Sequence, residues 1–425
     1  MKFFADFHIH SKYSRATSKD MDLEHLNKWA KIKGIKVLGT GDFTHPLWFK
    51  GLKEELEPAE KGLYKLKKPS LCSLARGERD DETRFILTSE VSCIYSKGNR
   101  VRKIHILIFS PSLEVCEKIN VQLGWVGNLK SDGRPIFGLD AKELAKIILS
   151  ISKDCLVVPA HIWTPWFSIF GSKSGFDSIE ECFEEYSKHI FAVETGLSSD
   201  PAMNWRLSAL DKISLISSSD AHSPAKIGRE ANYFDTEVDY FKIIETIKSK
   251  NPKEFLSTIE FFPEEGKYHY DGHRLCGIRT SPAESRKYNN ICPVCGKPLV
   301  IGVLNRVEEL ADRPEGVKPA NAIPFKNLIP LAEIIASAVG HLPGTKQVAK
   351  EYQNLIEKVG NEFEILLNTP AHVLSGVTRP EIVEGIIRVR DGRVTIEPGY
   401  DGVFGKIKVF EENEQKKSSK QETLF

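Results

Sequence analysis

The sequence is short of everything that would carry it into or across a membrane. Its longest apolar run, residues 104–109, is broken by His105 and falls far below the ~18 residues of a spanning helix. Met1 leads straight into a strand-like segment and not into a charged, then apolar leader, so a cytoplasmic protein with no membrane partner is expected. Methionine (three) and glutamine (five) are scarce while Lys and Glu abound, a usage that leans toward work at hyperthermophile temperatures. Neither charge is in excess: 59 Lys and Arg face 58 Asp and Glu, so attraction to a polyanion has to come from local patches. Of eight cysteines, Cys72, Cys93, Cys116, Cys155 and Cys182 stand alone and only Cys276, Cys292 and Cys295 cluster. A reduced compartment with one metal site fits that distribution better than a disulfide framework does. A serine nucleophile elbow and a Gly-rich phosphate loop are also missing, which leaves metals to do any phosphoryl chemistry.

What is present is enough for one large barrel or two to three modules, since 425 residues are about three times the ~150 of one domain. Seven short apolar runs recur in the first 222 residues, each on or near a polar residue suited to a site. They are residues 3–10 with His8 and His10, 35–38 before Asp42, 85–87 before Glu90, 104–109 around His105, 156–158 before His161, 190–193 before Glu194 and 213–216 before Asp220. Helix-like stretches at 23–32, 141–151 and 241–248 separate several of them. Alternation of this kind predicts an α/β barrel with its site at the C-terminal rim, to which His105 is an exception because it comes early in its run. After Pro263 the texture turns to Gly, His, Cys and Pro, and from Pro324 it becomes helical. Val348, Tyr352, Leu355, Ile356, Val359, Phe363, Leu366 and Leu367 recur at helical spacing and predict one amphipathic helix closing near Asn368-Thr369-Pro370. Thr378-Arg379-Pro380 opens another. The expected parts are residues 1–262, a small module at 263–305, a mainly helical domain at 306–412 and a polar tail at 413–425.

In Asp6-Phe7-His8-Ile9-His10 a strand's period of two puts three polar side chains on one face and Phe7 and Ile9 on the other. Asp220-Ala221-His222 repeats the device, and Glu90, Asp42, His45 and His161 add carboxylate and imidazole at other strand ends. A lone histidine there is usually a hydrogen-bonded structural residue. Six of the twelve histidines, arriving with three carboxylates at matching ends, are not explained that way. Imidazole and carboxylate without thiolate suit Zn, Mn or Fe, and so many ligands need two or three ions.

With these motifs the chain resembles the polymerase-and-histidinol-phosphatase (PHP) superfamily over about residues 1–240. The resemblance implies a distorted (β/α)7 barrel around a trinuclear site. His8, His10, Glu90 and Asp220 would bind one ion, Glu90, His105 and His161 a second, and Asp42 with His222 a third; these eight are the expected metal ligands and catalytic residues. Zn or Mn are the expected ions, with Mg able to support activity, and the expected reaction is hydrolysis of a phosphate ester. Where the superfamily joins Asp directly to His, this chain has Asp42-Phe43-Thr44-His45, so His45 and the third ion stay open, as does Glu194, either an orienting residue or a ligand.

His273-x2-Cys276 and Cys292-x2-Cys295, fifteen residues apart and set among Pro and Gly, mark a structural zinc site with His269 as a competing fourth ligand. Residues 267–350 hold twelve Lys and Arg against seven Asp and Glu, with Tyr268, Tyr270 and Tyr288 interleaved, which suits either nucleic acid or a solvated basic face. Residues 97–103 carry four cations and no acid, a phosphate contact or a plain turn. After His161 a rim loop contains Trp163, Trp166, Phe167, Gly171 and Ser172, either packing the core or forming a pocket for a base turned out of the helix.

Beyond the barrel, the run from Tyr268 through His273 to Cys276, the Cys292-Pro293-Val294-Cys295-Gly296 knuckle and Gly302-Val303-Leu304-Asn305-Arg306-Val307 make nearly the whole chain similar to the endonuclease Q family of DNA-repair enzymes. The resemblance implies that the helical domain binds DNA. It also implies cleavage 5′ to a deaminated base (uracil, hypoxanthine or xanthine) or an abasic site, on double- or single-stranded DNA, leaving a 3′-hydroxyl and a 5′-phosphate. A small-molecule phosphoesterase of histidinol-phosphatase type is the alternative. Gln421, Leu424 and Phe425 resemble a shortened form of the hook by which DNA enzymes dock on the sliding clamp (proliferating cell nuclear antigen).

Overall fold

The structure is a computed structural model that describes residues 1–68 and 82–411. All seven apolar runs are strands. β1 (Lys2–Asp6) pairs in parallel with β2 (Ile35–Gly39), and β2 with the start of β3 (Arg84–Lys97). β3 turns back into β4 (Arg100–Ser110) through Gly98 and Asn99, whose φ angles of 60° and 57° are those a two-residue hairpin turn requires. β4 pairs antiparallel with β5 (Leu156–Pro159), and β6 (Ala192–Glu194) runs parallel to β7 (Ser214–Ile216). Just past the strand ends, Ile162 N donates to Glu194 O and His10 N to Ala221 O, each at 3.0 Å. On its other edge β1 pairs antiparallel with β8 (Ala231–Asp235), and β8 with β9 (Phe255–Glu260). Phe3, Ala5, Phe7, Val37, Ile86, Leu107, Phe109, Val158, Ala192 and Ile216 pack with Phe234 and Phe255 into one buried core that fixes the strand ends.

The direction of β4 accounts for His105. Antiparallel to β3, β4 begins where β3 ends, so a residue early in β4 reaches the same rim as Glu90. The connecting helices are α1 (Leu23–Lys33), α2 (Pro46–Glu55), α3 (Leu113–Val126), α4 (Ala141–Ile151) and α5 (Tyr240–Ser249). Ser112, Asp140 and Asp239 cap the last three, each accepting from the first-turn amides that a helix leaves unpaired. Among the described residues no helix is long and apolar enough to cross a membrane.

The chain divides into two compact units. The first comprises Met1–Lys31, Ile35–Glu260 and Ile301–Lys326; the second comprises Ile32–Gly34, Phe261–Val300 and the chain from Asn327. The partition therefore differs from the expected break at 306. Residues 301–326 return to the first unit, anchored by Arg306 on Phe170 O, Arg206 on Glu308 and Arg313 on Asp211. The second unit holds a hairpin, β10 (Asp271–His273) and β11 (Ile278–Thr280), and helices α7 (Leu331–Val339), α8 (Lys346–Lys358) and α9 (Pro380–Arg390). Lys33 Nζ and Tyr352 Oη both reach Glu362 Oε2 at 2.6 Å, a buried charge supplied with partners. The single helix expected through Leu367 is two pieces: α8 stops before Gly360, whose φ of 146° no helix accommodates, and a wide turn, Glu364–Asn368, follows. Arg390 closes that turn by donating to the carbonyls of Ile365 and Leu366.

Candidate metal centre

Glu90 is the hub of the rim. Its carboxylate lies 2.7 Å from His105 Nδ1, 3.0 Å from His161 Nε2, 3.3 Å from His10 Nε2, 3.5 Å from His8 Nε2 and 3.0 Å from Arg134 Nη1. Donor atoms of Glu90, His105 and His161 all fall within 4.8 Å of one another, as do those of His8, His10 and Asp220. Nε2 of His8, Nε2 of His10 and Oδ1 of Asp220 are buried without a hydrogen-bond partner. Buried polar atoms rarely stay unpaired, so converging orphans of this kind are what a cation would satisfy.

The opposite ring nitrogens are held from behind. Glu194 brings both oxygens to His8 Nδ1, at 3.0 and 3.1 Å, and also accepts from His161 N at 3.0 Å. Asp42 Oδ1 lies 3.1 Å from His10 Nδ1, while its other oxygen accepts from Ser11 N, Ser11 Oγ and Ser14 Oγ. Each carboxylate thus contacts the Nδ1 of a ring whose Nε2 is turned toward Glu90. Asp42, expected as a ligand, lies outside both groups of converging donors, with Oδ2 taken up by Ser11 and Ser14. Gly133 lies so close to Asp42 Oδ2 and Ser14 Oγ that any Cβ there would collide with both. The ring of His222 sits 4.5 Å from that of His10, outside both groups, and His45 stacks on Tyr13 at 4.5 Å. Asp6, placed by strand alternation beside His8, instead accepts from Ser219 N and Gly228 N and supports the Asp220 turn. Three rim residues, Asp42, His161 and Asp220, have positive φ, local strain of the kind that functional sites retain.

Charge is tuned to this geometry. Burial alone would raise Glu90 and Asp220, but His105, Arg134 and His8 hold the first, and His10 and His8 the second, well below the usual carboxylate range. Burial lowers His105 to about 4 although Glu90 beside it pulls the other way. For His8 and His10 burial is outweighed by Glu194 and Asp42, with Glu90, which raise both. Arg134 escaped the reading of the sequence. It is one arginine in a Ser131-Asp132-Gly133-Arg134-Pro135 loop, and only the fold carries it to Glu90.

The aromatic loop divides. Trp163 is 1% exposed, donates its indole N–H to Asn204 Oδ1 at 2.8 Å and packs on Phe170, so it is a core residue and not part of an open pocket. Trp166 is 50% exposed beneath Lys103 Nζ, and the Phe167 ring lies 4.7 Å from His105. Gly171 is a tight turn in which a Cβ would strike the carbonyls of Thr164 and Pro165, and Ser172 is exposed. Of the four cations at 97–103, Lys97 pairs with Glu184 and Asp140, and Arg102 donates to Gly175 O.

In the second unit, donor atoms of His273, Cys276, Cys292 and Cys295 lie within 4.8 Å of one another, a closed tetrad. Burial opposes ionisation of Cys292, yet the amides of Cys295 and Val294 bring its thiol down to about 7. His269 is outside the tetrad, stacked on Tyr270. Gln421, Leu424 and Phe425 lie outside the described residues.

The crystal structure of the lesion-specific endonuclease PfuEndoQ from Pyrococcus furiosus is similar at a TM-score of 0.84 and 30% identity, covering 100% of both chains. The chain belongs to the endonuclease Q family. A structure of endonuclease Q complexed with a 27-mer duplex substrate with an abasic lesion at the active site matches at a TM-score of 0.82 and 30% identity, over 97% of this chain and 98% of that one. Residues 330–393 match the family model of the MJ0043 C-terminal domain. Uncharacterized protein MJ0043 of Methanocaldococcus jannaschii is 38% identical over 254 residues, 58% of this chain, which spans 31% of that relative's length.

Proposed function

We propose that the chain is a metal-dependent endonuclease that hydrolyses the phosphodiester 5′ to a deaminated base or an abasic site in DNA, leaving a 3′-hydroxyl and a 5′-phosphate. Membership of the endonuclease Q family makes it a DNA-cleaving hydrolase. The observation that carries the metal dependence is the position of Glu90 between the His8, His10, Asp220 and the His105, His161 donors on one rim. Hydrogen bonds from Ile162 to Glu194 and from His10 to Ala221 support a closed, distorted barrel of PHP type.

Two divalent ions, Zn or Mn, would be held by those donors with Glu90 shared, and His222 stands ready for a third. When bound, they supply charge compensation for the phosphate and a water of lowered pKa. This chain's residues do the rest. Glu194 and Asp42 fix the rings of His8 and His10, Arg134 keeps Glu90 ionised, and Trp166 offers a stacking face beside the site. The His273, Cys276, Cys292, Cys295 tetrad would take one structural Zn. Gln421, Leu424 and Phe425 would tether the enzyme to a sliding clamp, raising its effective concentration on DNA. Incubation with uracil, hypoxanthine, abasic and undamaged duplexes plus Mn, Mg or Zn tests the proposal: a nick 5′ to the lesion alone is expected, and turnover of a small phosphomonoester without any nick would refute it.

A further inference from the structure

Arg306 lies on α6 (Val303–Leu310), close to where the chain rejoins the first unit at Ile301, and only 8% of it is exposed. A buried guanidinium has to be paired, and that of Arg306 is. Nε donates to Phe170 O at 3.2 Å and Nη2 to Phe176 O at 3.1 Å; Nη2 also meets the Asp177 carboxylate, and Nη1 reaches Glu309 at 2.9 Å. Two of these bonds go to backbone carbonyls of one loop, residues 163–177. They bracket a tight turn in which Gly175 N donates to Gly171 O at 2.8 Å. Only a flat, forked donor can span two carbonyls in this way.

The same loop carries a strained residue beside the candidate metal centre. Phe167 has φ of 64°, unusual for an aromatic side chain. Its carbonyl accepts from His105 N at 3.0 Å, its amide donates to Ser174 Oγ, and its ring lies 4.7 Å from the His105 ring. Backbone strain persists only where surrounding contacts over-determine it. Ser174 holds Phe167 directly, and Arg306 holds the loop on either side of Ser174, at Phe170 and Phe176.

We propose that Arg306 is a positioning residue: its fork on Phe170 O and Phe176 O holds the 163–177 loop so that Phe167 stays seated on His105 and Trp166 stays at the rim, setting how the site treats the base beside the scissile bond. The substrate part of this inference rests on the endonuclease reading; the loop part does not.

The test uses the full chain with Arg306→Met, Arg306→Lys and Asp177→Asn. Arg306→Met should speed hydrogen exchange at the Gly171, Gly175 and Phe176 amides and lower the ratio of uracil to abasic cleavage, with metal content unchanged. A displaced loop of this kind costs about 10- to 100-fold on the uracil substrate. Lysine cannot span both carbonyls and should restore only part of the ratio. Asp177→Asn removes an exposed ion pair and keeps the fork, so it should stay near wild type. Unchanged loop exchange in Arg306→Met overturns the clasp, and faster exchange with an unchanged ratio overturns its link to the site. Should the Met variant not fold, the Lys variant carries the same two readouts. If even the wild type nicks no DNA, the endonuclease reading fails while loop exchange still decides the clasp.

Discussion

Glu90 Oε1 lies 2.7 Å from His105 Nδ1, although the hairpin register pairs Glu90 with Leu107 and His105 with Ser92. The two side chains meet on the diagonal of an antiparallel pair, a distance that long side chains cover. That contact brings the fourth strand's histidine to a rim built mainly from strand ends, and among the described residues it makes Glu90 the one carboxylate that reaches His8, His10, His105 and His161 alike.

The carboxylate and guanidinium behind the centre should matter almost as much as its ligands. Glu194→Gln and Arg134→Gln are each expected to lower metal affinity or cleavage by ~10–100-fold without unfolding the chain. Metal titration with single-turnover cleavage checks this, and wild-type values for both variants would contradict it.

The two tryptophans of the rim loop should separate cleanly. Trp163→Ala empties a core position and is expected to cost ~3–5 kcal/mol of stability, read as a lower unfolding midpoint. Trp166→Ala should leave the midpoint alone and lose stacking worth ~1–3 kcal/mol, slowing uracil cleavage more than abasic cleavage. Equal losses on the two lesions would assign Trp166 to packing.

Much of this was legible beforehand, and the exceptions have physical causes. Seven strands and the clustering of His8, His10, Glu90, His161 and Asp220 follow from short apolar runs with polar ends, because strand ends in one sheet lie side by side. His105 looked out of place because direction of travel is invisible in a run of residues. Asp42 has a ligand's chemistry, and its contacts with Ser11, Ser14 and His10 Nδ1 are set by the fold and not by spacing. Trp163 and Trp166 look alike in sequence, and burial alone distinguishes them. The return of residues 301–326 to the first unit depends on arginine contacts that span about a hundred residues or more, Arg206 with Glu308, Arg306 with Phe170 and Arg313 with Asp211.

In the second unit, replacing Cys292 and Cys295 together by Ser should release one zinc and loosen the module, since a structural zinc contributes folding energy directly. Faster proteolysis of residues 271–300 and weaker DNA binding are expected. Unchanged zinc stoichiometry would overturn the assignment.

Glu260 predicts a pH dependence of stability. It is fully buried, accepts from Thr195 Oγ1 at 3.0 Å, and burial pushes its carboxyl up to about 8 from an ordinary 4.5. The folded chain therefore holds a proton that the unfolded chain gives up. Its stabilising contribution is complete below pH 4.5 and is lost as pH rises through about 8. Unfolding midpoints measured across that window should fall less in Glu260→Gln than in the wild type, and parallel curves would contradict the shift.

The most direct test of the centre itself is metal content measured together with nicking of a uracil-containing duplex, for the wild type, His8→Ala and Asp220→Ala. The wild type should carry at least two ions beyond the tetrad zinc and cut 5′ to the uracil. Both variants should lose barrel metal and cleavage while still binding the duplex. Near-normal nicking by either variant would contradict a hydrolytic metal centre built on His8, His10, Glu90 and Asp220.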